Sequence, residues 1–277
     1  MTGDIKETFV NKWMRIPYVL HTVILADPIE PRATVIFLHG IGSSTIMWKR
    51  VAQEVPNDVR IVAIDLLGFG ESPQPSWKEY SIESQTQSVR LTLRKLRIYG
   101  PLILVGHSLG ALIAIEYAHR HPQNIEQLLL ISPPLYNYDD RAAARRFTRT
   151  QDERLRRLYR MFIKSPERAQ RALHLARKAY SKVNRVELSK SLNITTYLAT
   201  LDRAIIDQDV LRHLENISVP TIIMRGTRDP LVVRRNIEET TAMNPNLTHS
   251  RVAKGGHNVV GVMQRAVVAT LNDILSL

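Results

Sequence analysis

The chain has 277 residues, 44% hydrophobic and 23% charged, which excludes a disordered or fibrous protein and suits one large domain or one core with an insertion. It has no cysteine, which excludes disulfides, thiol catalysis and cysteine-ligated metal. The net charge of +12 has an address: from Arg141 to Lys190 sixteen Lys and Arg face four acids, and the rest of the chain balances.

Met1 to Val10 has no apolar stretch behind a basic start, which argues against a secretory signal. Two segments, Thr8 to Met14 and Tyr18 to Ala26, are expected to form an antiparallel hairpin. Four short apolar runs follow, at Val35 to Leu38, Arg60 to Ile64, Leu102 to Val105 and Leu128 to Ile131. Runs apolar on both faces are what a helix-covered parallel sheet requires. Helical periodicity fills the gaps over about 82–97 and 109–119. The longest apolar runs are strand-length, far short of a membrane span, so a soluble, cytoplasmic protein is expected.

After about residue 207 the alternation resumes. Thr221 to Met224 and Leu247 to Val252 are predicted strands, residues 232 to 242 a helix, and Asn258 to Leu275 a closing helix. Between the two blocks, residues 134–207 read as a helical insertion. Leu155, Leu158, Tyr159 and Phe162 follow helical spacing, and Ala169, Ala172, Leu173 and Ala176 repeat it after the start signal Ser165-Pro166-Glu167. The expected organisation is a core of 1–133 and 208–277 interrupted by a basic helical cap, 134–207.

The chemistry centres on Gly106-His107-Ser108-Leu109-Gly110. This G-x-S-x-G pattern ends a predicted strand and opens a predicted helix, the setting of a nucleophile elbow. Serine is a weak nucleophile and needs a base and a group to orient that base. His257, after the last strand in Lys254-Gly255-Gly256-His257, is the best candidate base, because ligands gather at the carboxyl ends of parallel strands. His39 is the next candidate, though its place before Gly40-Ile41-Gly42 gives it another duty. His107 adjoins the serine and is expected to point elsewhere. Asp229, after the strand Thr221 to Met224, is the candidate orienting acid. Backbone amides of Ile41 and Leu109 are the candidate donors to an oxyanion. The loop has no G-x-G-x-x-G and no Gly-Lys-Ser/Thr, which argues against a phosphate cradle.

With His39-Gly40-Ile41-Gly42, Asp65-Leu66-Leu67-Gly68-Phe69-Gly70-Glu71-Ser72, Gly106 to Gly110, Gly226 to Asp229 and Gly255-Gly256-His257 in this order, the chain resembles the α/β-hydrolase superfamily with a helical cap. That resemblance implies an α/β fold with an eight-stranded, mostly parallel sheet, and a Ser108-Asp229-His257 triad needing no cofactor or metal. A serine at the elbow, rather than an aspartate, argues against the haloalkane dehalogenase and epoxide hydrolase branches.

The expected function is hydrolysis of a carboxylic ester or thioester through an acyl-enzyme. Acyl transfer, carbon–carbon bond hydrolysis or a lyase step on the same residues is one alternative, and a non-catalytic ligand-binding receptor another. Tyr136, Tyr138, Phe147, Tyr159, Phe162, Tyr180 and Tyr197 lie in or near the insertion and suit an apolar acyl pocket. Its basic residues admit a solvated helix face, recognition of an anionic substrate or of an acidic partner such as an acyl carrier protein (by similarity to pimeloyl methyl-ester esterases), or anionic lipid, as for a lysophospholipase. No nucleic-acid recognition motif accompanies the charge.

Overall fold

The computed structural model describes residues 8–137, 151–172, 174–175 and 193–276. Seven strands are described: β1 (Thr22–Ala26), β2 (Ala33–Leu38), β3 (Val59–Ile64), β4 (Leu102–His107), β5 (Ile125–Ile131), β6 (Thr221–Gly226) and β7 (Leu247–Val252). They form one sheet in the order β1-β3-β2-β4-β5-β6-β7, parallel except for the β1–β3 pair. Alternate residues of the same strands serve two cores. Ile36, Leu38, Val62, Ile64, Leu104 and Leu130 face one side, and Val35, Phe37, Ile61, Ala63, Val105 and Ile131 the other.

Helices cover both faces, which is why these strands lack polar alternation. On the first face lie α2 (Ile82–Lys95), α3 (Leu109–Arg120), α6 (Val210–Glu215) and α7 (Arg234–Met243). On the second lie the short α1 (Lys49–Ala52) and the last helix, α8 (Val262–Leu275). Helix α3 is apolar nearly all round and buried from Leu109 to Ala118, so it sits at the centre of the first core.

One expectation is corrected: Thr8–Trp13 is a single π-helical turn, so it forms no hairpin with β1; among the described residues the sheet has seven strands, where the resemblance implied eight. The backbone accounts for this. Met14 N–H bonds back to Phe9 O and Ile16 N–H to Val10 O, and the Asn11 amide caps Ile16 O at 2.8 Å, so this segment satisfies itself locally. The amides of Leu20 and His21 donate to the Thr92 and Ser72 hydroxyls, so the pairing that remains begins at Thr22, against β3.

Between β5 and β6 the described elements are helical: α4 (Gln151–Ile163), residues 166–172, α5 (Ile194–Thr200) and a π-helical turn, Leu201–Ile206. Asp152 at the start of α4 is buried and accepts from the Asn137 amide at 3.0 Å and the Asn236 side chain at 2.8 Å. This ties α4 to α7 and to the segment leaving β5. Tyr138, Phe147, Leu173, Ala176 and Tyr180, together with much of the basic stretch, lie outside the described residues.

Strand order fixes where a site can form. From β2 the chain moves to β3 on one side, then returns to β4 on the other. The loops leaving β2 and β4 therefore diverge at a switch point and leave a crevice at their carboxyl ends.

Candidate active site

The register places Leu38 of β2 beside Gly106 of β4, so the His39–Gly42 loop meets the turn containing Ser108. That contact is close enough to demand glycine. A Cβ on Gly110 would stand 2.3 Å from Leu38 O, and one on Gly106 would stand 2.4 Å from Gly110 O. Ser108 itself has φ 52° and ψ −114°, a strained conformation for an L-residue. Its amide continues the ladder to Ile131 O at 2.9 Å, while its carbonyl already accepts from Ala111 N in the first turn of α3. The side chain is thereby lifted above the strand ends.

Two further loops bring partners to it. Gly226 of β6 pairs with Val252 of β7, and Gly226 and Gly255 pack so tightly that a Cβ on Gly226 would stand 2.4 Å from Gly255 O. The loops carrying Asp229 and His257 therefore run side by side. His257 Nε2 lies 3.1 Å from Ser108 Oγ, and its Nδ1 lies 2.9 and 3.1 Å from the two Asp229 oxygens. With Nδ1–H donating to the carboxylate, Nε2 is left as the acceptor for the serine proton. The Asp229 carboxylate is fully buried. Burial pushes its pKa up, but hydrogen bonds from His257 and the Leu231 amide outweigh it and hold the group below the usual range.

The expected donors stand on the facing sides. Leu109 is the first residue of α3, so its N–H has no partner within the helix and belongs to its positive end. Ile41 lines the same cavity as Ser108, and a Cβ on neighbouring Gly40 would lie only 3.3 Å from Ser108 Cβ. Gly42 has φ 75°, which turns the loop away immediately after Ile41.

His39 is a strut. Its ring is fully buried; Nε2 accepts from Leu66 N–H at 2.9 Å, and Nδ1–H donates to Gly40 O at 2.7 Å. Burial lowers its pKa and keeps it neutral, and neither nitrogen is free to act on Ser108. His107 points away from the serine, as expected, but toward a partner that sequence spacing does not reveal. Its Nε2 lies 2.9 Å from the carbonyl oxygen of His257. Burial, with His257 nearby, lowers its pKa to about 3, so the neutral ring donates this bond.

A cavity of about 460 Å³ opens beside Ser108 and His257. On one side are Pro134, Leu231 and residues of the inserted helices: Tyr159, Tyr197, Leu201 and Ile205. Tyr136 donates to Leu231 O at 2.9 Å, so its oxygen accepts from Tyr159 at 3.1 Å. Burial pushes the Tyr197 phenol up to about 12, so it remains a donor at the wall. Phe162 packs against the core instead. Among the described residues no group of three His, Cys, Asp or Glu converges as a metal site.

Comparison with known proteins agrees with this architecture. A model of the alpha/beta hydrolase fold family matches residues 33–262. A probable lysophospholipase of Arabidopsis thaliana, BODYGUARD 4, is 35% identical over 109 residues, 39% of this chain and 26% of that protein. The match thus spans about a quarter of the length of this relative. The AB hydrolase superfamily protein YisY of Bacillus subtilis is 27% identical over 217 residues, 76% of this chain and 79% of that one. Among solved structures, an esterase from Exiguobacterium antarcticum superposes with a TM-score of 0.74 at 18% identity, over 93% of this chain and 96% of its own.

Proposed function

The chain belongs to the alpha/beta hydrolase fold family, and from that premise we propose that it is a serine hydrolase of carboxylic esters or thioesters. The observation that supports this reading most directly is the continuous line Ser108 Oγ, His257 Nε2, His257 Nδ1, Asp229, with each gap at hydrogen-bond distance.

In this reading Ser108 Oγ attacks the carbonyl carbon while its proton passes to His257 Nε2. The imidazolium so formed is stabilised by the buried Asp229 carboxylate. The carbonyl oxygen, now an anion, accepts from the amides of Ile41 and Leu109. His257 returns the proton to the leaving oxygen or sulfur, and the acyl group remains on Ser108. A water, deprotonated by His257, then releases the acid. The apolar wall of Leu201, Ile205, Leu231 and Pro134 suits the acyl part. Esterase and lysophospholipase names among its relatives support ester hydrolysis in general. Among the described residues no helix is long and apolar enough to cross a membrane.

The test is labelling with a fluorophosphonate probe, mapped by mass spectrometry, beside turnover of p-nitrophenyl esters of increasing chain length. The reading expects the label on Ser108, and Ser108→Ala should lose both label and at least about 1000-fold in kcat. Turnover undiminished in Ser108→Ala would refute it. Absence of label and turnover in the unaltered chain would favour a binding protein on this fold.

A further inference from the structure

The cavity wall carries charge of one sign. Lys49 and Arg50 line it, and among the described residues no Asp or Glu does. Both follow the glycine loop on the segment Thr45–Ala52. That segment is anchored by Trp48, fully buried and stacked on Phe37 at 4.6 Å, and by Val51 in the same core. The backbone is thus held while the two cationic side chains remain exposed at the wall.

Some arginines elsewhere on this surface, Arg32, Arg60, Arg120, Arg234 and Arg235, each pair with a carboxylate. Among the described residues Lys49 and Arg50 have no such partner. Glu54, just beyond this segment, accepts instead from the side-chain amide of Gln264, itself a wall residue. Two cations without counter-ions beside a partly apolar cavity attract an anion more strongly than they would on an open surface, because the apolar part of the wall lowers the local dielectric.

Resting on the serine-hydrolase reading, we propose that the site takes esters carrying a permanent negative charge apart from the scissile carbonyl, a carboxylate or a phosphate. Lys49 and Arg50 are the specificity residues. The charge sits on the Thr45–Ala52 side of Ser108, and the apolar part lies against Tyr159, Tyr197, Leu201 and Ile205.

The experiment compares kcat and KM for three chromogenic probes with the full chain. These are neutral p-nitrophenyl butyrate, the p-nitrophenyl half-ester of glutarate, charged on the acyl side, and butyryloxy-nitrobenzoate, charged on the leaving group. In Lys49→Gln/Arg50→Gln the ratio of anionic to neutral kcat/KM should fall about fivefold to tenfold, chiefly through KM. The charge-preserving Lys49→Arg/Arg50→Lys should retain most of the ratio, and raising ionic strength should lower it in the unaltered chain. The anionic probe that responds identifies the side on which the charge is read. An unchanged ratio in the Gln double variant, with neutral turnover and Ser108 labelling intact, overturns this inference alone. No turnover of any probe and no labelling of Ser108 overturns the hydrolase reading and this inference with it.

Discussion

His107 Nε2 lies 2.9 Å from the carbonyl oxygen of His257, so the residue before the proposed nucleophile, Ser108, holds the main chain of the residue proposed to activate it. The two are 150 positions apart, and the bond links the carboxyl end of β4 to the loop that follows β7. Replacing His107 by Ala leaves a carbonyl unpaired and frees the His257 loop. The expected result is a loss of about 1–3 kcal/mol of stability and a fall in kcat of about 10- to 100-fold from the misplaced imidazole. Denaturant unfolding and single-turnover acylation measure the two effects separately.

The same residue gives stability a pH dependence. His107 binds its proton only near pH 3 when folded, against about 6.5 in an unfolded chain. Between those limits the unfolded state holds more protons, so stability is full above about pH 6.5 and declines as pH falls toward about 3, by at most about 1.4 kcal/mol per pH unit for one group. His39, also lowered by burial, acts in the same direction. Unfolding free energies measured across this range should fall more gently in His107→Asn than in the unaltered chain; parallel curves would remove His107 from the account.

Asp229→Asn keeps the shape but replaces a buried negative acceptor with a neutral amide that permits the wrong imidazole tautomer. Its kcat should fall on the order of 10,000-fold, with secondary structure and Tm little changed. Circular dichroism beside ester turnover distinguishes this from simple unfolding.

Ser108 stores strain at φ 52°, ψ −114°. Glycine adopts this conformation freely, so Ser108→Gly should be more stable than Ser108→Ala by about 1 kcal/mol, although both lack the nucleophile. Equal melting temperatures would mean that the elbow is unstrained.

Gly110→Ala should do the opposite. The new methyl would meet Leu38 O, a main-chain atom within the sheet that cannot rotate aside. A loss of about 2–3 kcal/mol is expected, together with displacement of the His39–Gly42 loop, read as a drop in kcat larger than that of Gly256→Ala, where a Cβ meets nothing within 4 Å.

Much of this site is legible in the linear chain because parallel strands announce themselves as short doubly apolar runs, and the residue just after each run lies at a known edge. Ser108 and Asp229 each follow such a run, His257 follows the last predicted strand, and His257 lies within 3.1 Å of both Ser108 and Asp229. The hairpin expected over 8–26 does not form, because hydrophobic patterning cannot show where backbone groups find partners. Before Thr22 they find Phe9 O, Val10 O, Thr92 and Ser72 instead of a neighbouring strand. Lys49 and Arg50 gave no signal at all, since two cations after a glycine loop look like any solvated helix start.

The amino-acid order alone determined which faces are apolar, where glycine is required and which residue types could supply nucleophile, base and acid, because these depend on spacing of one or a few residues. Tertiary structure decided the rest: that His39 is locked by Leu66 and Gly40, that His107 grips His257, and that the cavity wall is cationic. The first two join loops on separate strands, and the register of β2, β3, β4, β5, β6 and β7 brings those loops to one edge.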